Sequence, residues 1–478
     1  MLLTDLIAEI VTIKIIGNAN VDIKNICADS RKVTSGDMFV AINGVAVDGH
    51  KFIGTAIENG AKVVVCEKCP AEINPEVTYV LVDDSTECLG KLASAYYDYP
   101  SEKLIIIGVT GTNGKTTIAT LLYELYKELG YKVGLLSTVC NYINGRAIPS
   151  THTTPDALSL QKLLAEMAAE RCYYVFMEVS SHSVDQKRIA GINFDGAVFT
   201  NITRDHLDYH KTFSNYIKAK QEFFTNLPIH AFALTNADDK NGKIITQNTN
   251  ANVYSYSLET HANFKAKVLE ETMDGMLLKI DDNELYVRLI GHFNAYNILA
   301  VYGVTKILRT PTEEVLVALS KLKPVNGRFE CYRLKNGACA VIDYAHTPDA
   351  LENVLNTVKE INKSGKTICV VGCGGNRDKG KRPMMAKIAV KMSDEVFFTA
   401  DNPRDEEVKD IINDMLAGLT EDEKMNVTCI EDRKEAILEA CNVAEKDDVV
   451  LIAGKGHETY QEIKGVKHHF DDKEIILN

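Results

Sequence analysis

A glycine-rich segment, Gly111-Thr112-Asn113-Gly114-Lys115-Thr116-Thr117, has residue types and a spacing that suit the binding of phosphate groups. An apolar run at residues 104–109 precedes it and indicates a buried strand, and apolar residues at steps of three and four between 118 and 129 indicate a helix after it. In such a strand–turn–helix unit, the backbone N–H groups of the turn and the positive end of the helix face the phosphates. Lys115 then supplies positive charge, and the hydroxyl of Thr116 can reach Mg²⁺. The alternative is an ordinary turn, which does not explain why strand, turn, lysine and helix agree.

Polar clusters follow five further apolar runs of the chain. The clusters are Glu178–His182, Thr200–Asp208, Gly372–Asp378, Asp401–Arg404 and Gly454–Glu458. In open parallel sheets, ligands bind at the carboxyl ends of the strands, so we expect these clusters to line a binding site. The alternative is that polar loops simply cap strands. That alternative explains the polarity but not the density of His, Arg, Glu and Gly.

The elements that must position these residues predict an α/β protein of three domains. Helical segments lie between most strand candidates, which indicates parallel sheets covered on both faces. Polar joints near residues 96–101 and 322–328 predict domains at 1–99, 100–326 and 327–478. The strand candidates after the first are Tyr131–Leu136, Cys172–Met177, Ala197–Thr200, Ala231–Leu234, Thr367–Val371, Glu395–Thr399 and Val449–Ile452.

Composition limits the class of protein. A chain of 478 residues suits about three domains of about 150 residues. The net charge of −13 argues against nucleic acid as a partner. The sequence has no apolar run of about 18 residues and no secretory signal, so we expect no membrane insertion and a cytoplasmic location. The 12 cysteines are scattered, and the lone pair Cys66 and Cys69 lacks the second pair that a zinc site needs.

In their order along the chain, these motifs resemble those of the Mur ligases, and the match covers nearly the whole sequence. The loop that contains Lys115 has Val109 where the widespread longer motif has its first Gly, and it is similar to the shorter form of this family. The resemblance includes Asp29–Arg31, Gly111–Thr117, Thr153–Pro155, Glu178–His182, Asp205–Asp208, Gly291–Asn294, Gly327–Glu330, Asp343–Pro348, Asp401–Arg404 and Gly454–Glu458. It implies a central parallel sheet of the P-loop ATPase type, a Rossmann-like C-terminal domain and a monomer.

The implied activity is ATP-dependent amide ligation in peptidoglycan synthesis, within the group that adds the third amino acid to UDP-MurNAc-L-Ala-D-Glu. A carboxylate does not condense with an amine in water, so ATP first converts it to an acyl phosphate that the amine attacks. Cations and helix termini stabilise and align the charge that develops. ATP is therefore expected as co-substrate, with two Mg²⁺ ions.

The resemblance assigns catalytic roles to Lys115, Glu178, His206 and Lys220. Lys115 would neutralise the phosphate oxygens, Thr116 and Glu178 would hold one Mg²⁺, and His206 would bind a second. Glu178 could instead cap a helix, and His206 could make a structural hydrogen bond.

Lys220 illustrates the difference between spacing and resemblance. Its spacing alone suggests a solvated lysine. The resemblance implies N6-carboxylysine, a carbamate that binds Mg²⁺ and forms from a neutral amine.

The resemblance also assigns the nucleotide and acceptor contacts. On the ATP side it adds Asn294, Arg328, Asp343 and His346, and it implies domain closure. On the acceptor side it assigns Ser30, His152, Thr153, Thr154, Ser180, Gln186 and Arg188. His152 stands where other members often have Asn, and the hydroxyl and amide residues could equally be turn formers.

The segment Asp401-Asn402-Pro403-Arg404 resembles the form found in members that add meso-diaminopimelate. Arg404 can grip a second carboxylate on the incoming amino acid, and lysine-adding relatives tend to lack this Arg. Arg377, Gly454 and Glu458 match further contacts to the same substrate. The alternative is that Arg404 pairs with its neighbours Asp405, Glu406 or Glu407.

Four other functions remain open from the sequence. Only Arg404 argues against a lysine-adding Mur ligase. The segments around Arg404 and Ser30 argue against other ligases of the superfamily, such as folylpolyglutamate synthetase or the D-Ala-D-Ala-adding ligase. A switch or motor ATPase would hydrolyse ATP without an acceptor. A dinucleotide-binding protein would rest on Gly372–Gly375, which lacks the full glycine pattern.

Overall fold

The computed structural model describes residues 1–44, 47–150 and 152–477. Within these residues the strands form sheets of five, eleven, six and two strands. No helix of this part of the chain is long and apolar enough to cross a membrane. The boundaries at residues 99 and 326 stay predictions. They lie between the first and second sheets and between the second and third.

The N-terminal sheet has the strand order β1-β5-β4-β3-β2, with β1 antiparallel to its neighbour and the others parallel. Its strands are β1 Lys14–Ile16, β2 Ile26–Cys27, β3 Met38–Val40, β4 Val63–Cys66 and β5 Thr78–Leu81. Its helices are α1 Leu3–Leu6, α2 Ile53–Glu58 and α3 Ser85–Tyr96, with 3₁₀ turns at Ser30–Lys32 and Gly49–Phe52.

The central sheet is parallel in its middle and antiparallel at both edges. Its strands are β6 Ile105–Thr110, β7 Val133–Leu136, β8 Asn141–Ile143, β9 Arg146–Ile148, β10 Tyr174–Glu178, β11 Gly196–Phe199, β12 Phe232–Asn236, β13 Asn252–Ser257, β14 Phe264–Thr272, β15 Gly275–Ile280 and β16 Asn283–Val287. They lie in the order β16-β15-β14-β13-β12-β11-β6-β10-β7-β8-β9. The sequence predicted the parallel strands β6, β7, β10, β11 and β12 to within about two residues, but it did not predict the edge hairpins.

Helices cover both faces of this sheet and bury two separate apolar clusters. The helices are α4 Lys115–Glu128, α5 Ala157–Ala169, α6 Ser181–Asp185, α7 Leu207–His210, α8 Phe213–Thr225, α9 Gly242–Thr246, α10 His292–Ile307 and α11 Thr312–Lys321, with a 3₁₀ turn at Pro100–Lys103. Helices α4, α10 and α11 pack on one face, and α5 and α8 on the other. The burial of both faces explains why the central strands are continuous apolar runs.

The C-terminal sheet has the order β17-β18-β22-β19-β20-β21 and is parallel except for β17. Its strands are β17 Glu330–Arg333, β18 Cys339–Asp343, β19 Thr367–Val371, β20 Glu395–Phe398, β21 Val427–Cys429 and β22 Val449–Ala453, followed by the hairpin β23 Tyr460–Ile463 and β24 Val466–His469. Its helices are α12 Pro348–Ile361, α13 Arg382–Met392, α14 Val408–Leu416, α15 Glu421–Lys424, α16 Arg433–Val443 and α17 Asp472–Leu477, with a 3₁₀ turn at Lys379–Lys381. The predicted α/β fold of parallel sheets is confirmed.

Candidate active site

A cavity of about 1450 Å³ lies between the central and C-terminal sheets. The loops that follow β6, β10, β11, β18, β19, β20 and β22 all contribute to its lining. Typical small-molecule pockets have volumes of about 300–1000 Å³, so this cavity has room for more than one substrate. The polar clusters that the sequence placed after strands therefore meet in one space.

The loop between β6 and α4 has a backbone that only glycine accommodates easily at two points. Gly111 has φ +150° and Gly114 has φ +85°. A Cβ atom at Gly111 would lie 1.8 Å from Thr200 Oγ1, and one at Gly114 would lie 2.6 Å from Asn297 Oδ1. The loop is thus pressed against the β11 and α10 regions, and α4 begins at Lys115 with its N-terminus at the cavity.

Lys115 folds back over its own loop. Its Nζ donates hydrogen bonds to the carbonyl oxygens of Gly111 at 2.9 Å and Thr112 at 2.8 Å. Burial lowers the pKa of Lys115, while the nearby carboxylate of Glu178 acts in the opposite direction. Because Lys115 is the first residue of α4, its ammonium group can contact a phosphate bound at the N-terminus of that helix.

Glu178 is the last residue of β10 and is held by hydrogen bonds from two directions. Thr116 Oγ1 donates to its Oε2 at 3.0 Å, and the backbone N–H of Thr138 donates to its Oε1 at 2.7 Å. Ser180, not Glu178, caps the following helix α6, so the alternative of a helix-capping acid does not describe this residue. Arg328 Nη2, from the C-terminal part of the chain, donates to Thr116 Oγ1 at 3.1 Å.

The oxygen atoms of Thr116 and Glu178 suit Mg²⁺, which prefers oxygen ligands and usually keeps substrate phosphates and water in its shell. No group of three or more His, Cys, Asp or Glu side chains is arranged to hold a metal ion in the described ranges. A Mg²⁺ ion bound to Thr116 and Glu178 would complete its shell with oxygen atoms of substrate phosphates and water.

His206 directly precedes helix α7, as its N-cap residue, and has a left-handed backbone, φ +54°. Its Nε2 lies 3.3 Å from Asp205 Oδ2, and its ring meets that of His182 edge-on at 4.8 Å. Burial lowers the pKa of His206 to about 3 and that of His182 to about 4, so both imidazoles are neutral near pH 7. A neutral imidazole can act as a metal ligand or a hydrogen-bond partner.

Lys220 lies in the core and not in solvent, contrary to what its spacing alone suggests. It is 1% exposed, and its Nζ donates to the carbonyl oxygen of Gly111 at 2.8 Å and lies 4.8 Å from the ring centroid of Tyr216. Burial first, and then the positive charge of Lys115, lower the pKa of Lys220 well below its ordinary value. A neutral amine at the wall of the cavity is the form that reacts with CO₂.

The acceptor-side residues divide into two groups. His152, Thr153, Thr154, Ser180 and Arg188 line the cavity. Thr154 Oγ1 donates to the carbonyl oxygen of Glu178 at 2.8 Å, and Arg188 Nη1 donates to the carbonyl oxygen of Thr154 at 3.0 Å.

Gln186 and Ser30 lie outside the cavity lining. Gln186 contacts Arg188 and Tyr209 behind it. Ser30 is buried in the N-terminal domain, where its carbonyl oxygen accepts a hydrogen bond from Asn59.

On the nucleotide side, Arg328, Asp343 and His346 line the cavity and Asn294 does not. Burial raises the pKa of Asp343 to about 6 and lowers that of His346 to about 4. Asn294 donates to the carbonyl oxygen of Ile290 at 2.7 Å, and its Oδ1 accepts a hydrogen bond from Asn297, which does line the cavity.

The segment after β20 forms a pocket of mixed charge with the loop after β22. Asn402 Nδ2 donates to Glu458 Oε2 at 2.7 Å. Lys455, which is fully buried, donates to Asn402 Oδ1 at 3.2 Å and Glu458 Oε2 at 3.1 Å, and lies 3.8 Å from Asp401. Burial raises the pKa of Glu458. Gly454, with φ +115°, lines the same wall.

Arg404 reaches this pocket from a left-handed backbone position, φ +52°. Its Nε donates to Glu462 Oε2 at 3.2 Å and its Nη1 to the carbonyl oxygen of Gly375 at 2.8 Å. The suggested pairing of Arg404 with Asp405, Glu406 or Glu407 is not what the structure shows, because its acidic partner is Glu462 on the β23–β24 hairpin. Arg377 lines the cavity nearby, whereas Pro403 lies outside the lining.

Three family profiles match the chain. They are the Mur ligase family catalytic domain at residues 22–97, the Mur ligase middle domain at 109–305 and the Mur ligase glutamate ligase domain at 327–456. The chain belongs to the Mur ligase family.

Similar proteins share one name. Proteins named UDP-N-acetylmuramoyl-L-alanyl-D-glutamate–2,6-diaminopimelate ligase from Phocaeicola vulgatus and Bacteroides fragilis are 59% and 57% identical to this chain. Both matches cover 100% of this chain, and 99% and 98% of the relatives. A solved structure with the same ligase name is 32% identical, has a TM-score of 0.69 and covers 100% of this chain and 98% of that chain.

Within this Mur ligase, the sequence did not single out three buried or half-buried side chains that contact the segments around Asn402 and Glu458. Lys455 lies in a cluster that the sequence did indicate, Gly454–Glu458. Only the structure shows that it is buried and that it contacts both Asn402 and Glu458. Glu462 lies on a hairpin that the sequence did not predict. Arg433 is the first residue of α16. In the sequence nothing distinguishes it from an ordinary surface arginine.

Proposed function

We propose that this Mur ligase joins meso-diaminopimelate to UDP-MurNAc-L-Ala-D-Glu, with ATP as co-substrate, in peptidoglycan synthesis. The observation that carries the proposal is one cavity lined by the phosphate loop at Lys115, by Glu178 and Lys220, and by the Arg404 pocket. The names of relatives that are 59% and 57% identical over the full chain support the same reaction.

The first step forms an acyl phosphate. The acceptor carboxylate attacks the γ-phosphorus of ATP, the bond to the β–γ bridging oxygen breaks, and ADP leaves. Lys115 and the N-terminus of α4 stabilise the negative charge that builds up on the phosphoryl oxygens, and Arg328 reaches the same point from the C-terminal domain.

The second step forms the amide. The amine of the incoming amino acid attacks the acyl carbon, the tetrahedral intermediate loses inorganic phosphate, and the released phosphate takes up the proton that the amine gives up. The walls at Arg188 and Arg404 belong to the same cavity, so they can align the two reactants.

We propose that Thr116 and Glu178 hold one Mg²⁺ ion and that His206 and a carbamylated Lys220 hold a second. When bound, these ions neutralise charge on the phosphates and the acceptor carboxylate. Glu178 supplies a carboxylate that Thr138 and Thr116 already orient, and His206 is neutral. The depressed pKa of Lys220 supports the modification to N6-carboxylysine.

The assignment of each remaining contact, the monomeric state, the cytoplasmic location and the domain boundaries belong to the same proposal. Ser30 would contact the uracil side of the acceptor from the N-terminal domain. Asn294 would act on the nucleotide through Asn297, because its own side chain lies behind the cavity wall.

Acceptor-dependent phosphate release tests the function. Purified protein with Mg²⁺, ATP, UDP-MurNAc-L-Ala-D-Glu and meso-diaminopimelate should release phosphate, and leaving out either the acceptor or the amino acid should abolish release. An equal rate without acceptor would favour a plain ATPase. Efficient release with L-lysine in place of meso-diaminopimelate would instead indicate a lysine-adding ligase.

A further inference from the structure

Arg433 and Asp472 form an ion pair beneath the amino-acid pocket. Both side chains are 0% exposed. Arg433 Nε donates to Asp472 Oδ1 at 2.8 Å and Nη2 donates to Oδ2 at 2.7 Å, so the pair is bidentate. Arg433 is the first residue of α16 and Asp472 the first of α17, the last helix of the described chain.

The same guanidinium also holds the backbone at two strand ends. Its Nη1 donates to the carbonyl oxygen of Ala400 at 3.3 Å, and its Nη2 donates to that of Ala453 at 3.1 Å. Ala400 directly precedes Asp401, and Ala453 directly precedes Gly454. Arg433 thus contacts the two points where the pocket loops leave the sheet.

These two strands are not neighbours in the sheet. Strand β19 lies between β20 and β22, so their backbones are separated by about 10 Å and share no ladder of hydrogen bonds. At the end of β19, a Cβ atom on Gly372 would lie 2.4 Å from the carbonyl oxygen of Thr399, so the backbones approach closely there. Arg433 spans this point and links β20 to β22 directly.

Stability alone is a weak reason for such a pair, because apolar residues of similar volume often stabilise a core equally well. The link between two carbonyl groups has a geometric consequence instead. Arg404 and Asn402 lie on one loop and Gly454 and Glu458 on the other, so the spacing of the two strand ends sets the width of the pocket.

We infer that Arg433, held by Asp472, is a positioning residue for the amino-acid substrate. It fixes the separation of the loops 401–404 and 454–458 without touching the substrate itself. The inference rests on the proposed function of this pocket. It predicts an effect on amino-acid binding that exceeds any effect on the nucleotide, which binds to the central sheet.

Steady-state kinetics on the full chain test the inference, with KM measured separately for meso-diaminopimelate, ATP and acceptor. The first variant is Asp472→Asn. The second is the double variant Arg433→Met/Asp472→Leu, which needs no buried partner and decides the matter if the first does not fold. The control is Asp448→Asn, because Asp448 is a buried carboxylate that accepts hydrogen bonds from two backbone N–H groups. It directly precedes β22, at the end of that strand opposite the pocket.

Both pocket variants should raise KM for meso-diaminopimelate about tenfold, since small displacements of positioning groups cost at least that much. KM for ATP should stay within about twofold, and Asp448→Asn should lower the melting temperature without a change in the ratio of the two KM values. A folded double variant with the wild-type KM for meso-diaminopimelate would overturn the inference. So would an equal rise in all three KM values. Absence of meso-diaminopimelate-dependent phosphate release from the wild-type protein would instead count against the proposed function.

Discussion

The proposed phosphate site takes its main contacts from one continuous segment, Gly111–Thr117, whereas the proposed amino-acid pocket is assembled from three strand ends and a hairpin. Backbone groups and the end of α4 make most of the first site, and Glu178 and Arg328 each add one distant side chain at Thr116. The second depends on Lys455 and Glu462, which hold the side chains of Asn402 and Arg404, and on Arg433, which holds two backbone carbonyl groups before the pocket loops. In the proposed function, nucleotide binding is therefore mostly local in sequence, whereas the choice of amino acid is distributed over a domain.

The largest expected effect lies in the pocket. Wild-type protein should prefer meso-diaminopimelate over L-lysine by roughly 10⁴-fold in kcat/KM, because a lost carboxylate leaves buried donors without partners. Arg404→Ala should raise KM for meso-diaminopimelate sharply, with a smaller effect on ATP, and should not create an efficient lysine enzyme.

Competition between the two amino acids in the phosphate-release assay measures this preference. The exposed Arg333 in the same domain gives the control Arg333→Ala, which should leave kcat/KM for both amino acids unchanged. Equal use of the two amino acids by the wild-type protein would show that the pocket does not select on the carboxylate.

The next effect tests the local site. Lys115→Ala should lower kcat by about 1000-fold with the fold intact, because one cation aimed at developing charge is worth several kcal/mol. Single-turnover phosphate release at saturating ATP measures the loss. Lys127→Ala, a change at an exposed lysine near the other end of α4, should behave like wild type. A small effect of Lys115→Ala would mean that this loop does not bind the transferred phosphate.

A third prediction concerns Lys220, which lies in the wall of the cavity that contains both sites. Lys220→Ala should lower turnover by about 100-fold, since it removes the carbamate that would hold a metal ion, and short carboxylic acids should restore part of the activity. Protein equilibrated with ¹³C-bicarbonate should give a carbamate NMR signal that Lys220→Ala abolishes. Lys218→Ala, at an exposed lysine of the same helix, should retain both the signal and the activity. A wild-type protein with no carbamate signal would refute the modification.

The smallest expected effect is on stability against pH. Burial lowers the pKa of His182 and His346 to about 4 and that of His206 and His457 to about 3. The unfolded chain, with a histidine pKa near 6.5, then binds more protons, so the free energy of unfolding falls as the pH falls below about 6.5. Asp343 acts oppositely and offsets part of this, because its pKa is raised to about 6 in the fold.

Urea unfolding at pH 7 and pH 5.5 measures the trend. The double variant His346→Gln/His457→Gln should lose less stability over this interval, by about 2 kcal/mol. The exposed His261 supplies the control His261→Gln, which should keep the full wild-type dependence. A wild-type stability that rises on acidification would show that these histidines are not buried in the neutral form.

Much of the fold was predictable because its central strands are buried on both faces. Continuous apolar runs such as Thr367–Val371 stand out in the sequence, and this strand has the predicted bounds. The edge hairpin β15–β16 was not predicted, since β16 alternates between buried and more exposed residues and forms no continuous apolar run. Lys220 shows a different limit. It lies on the same face of α8 as the buried Tyr216 and Phe223, but a lysine is ordinarily expected in solvent, so its burial was not predicted.

The sequence by itself determined the phosphate loop, the family and the set of polar clusters at strand ends, because each is a continuous segment whose residue order is its signal. The tertiary structure alone decided which partners hold those clusters. Arg404 meets Glu462 and not its neighbours in sequence, and Arg433 joins β20 to β22 across β19. Such contacts depend on the order of strands in the sheet and on which side chains lose contact with water, and no local pattern encodes either.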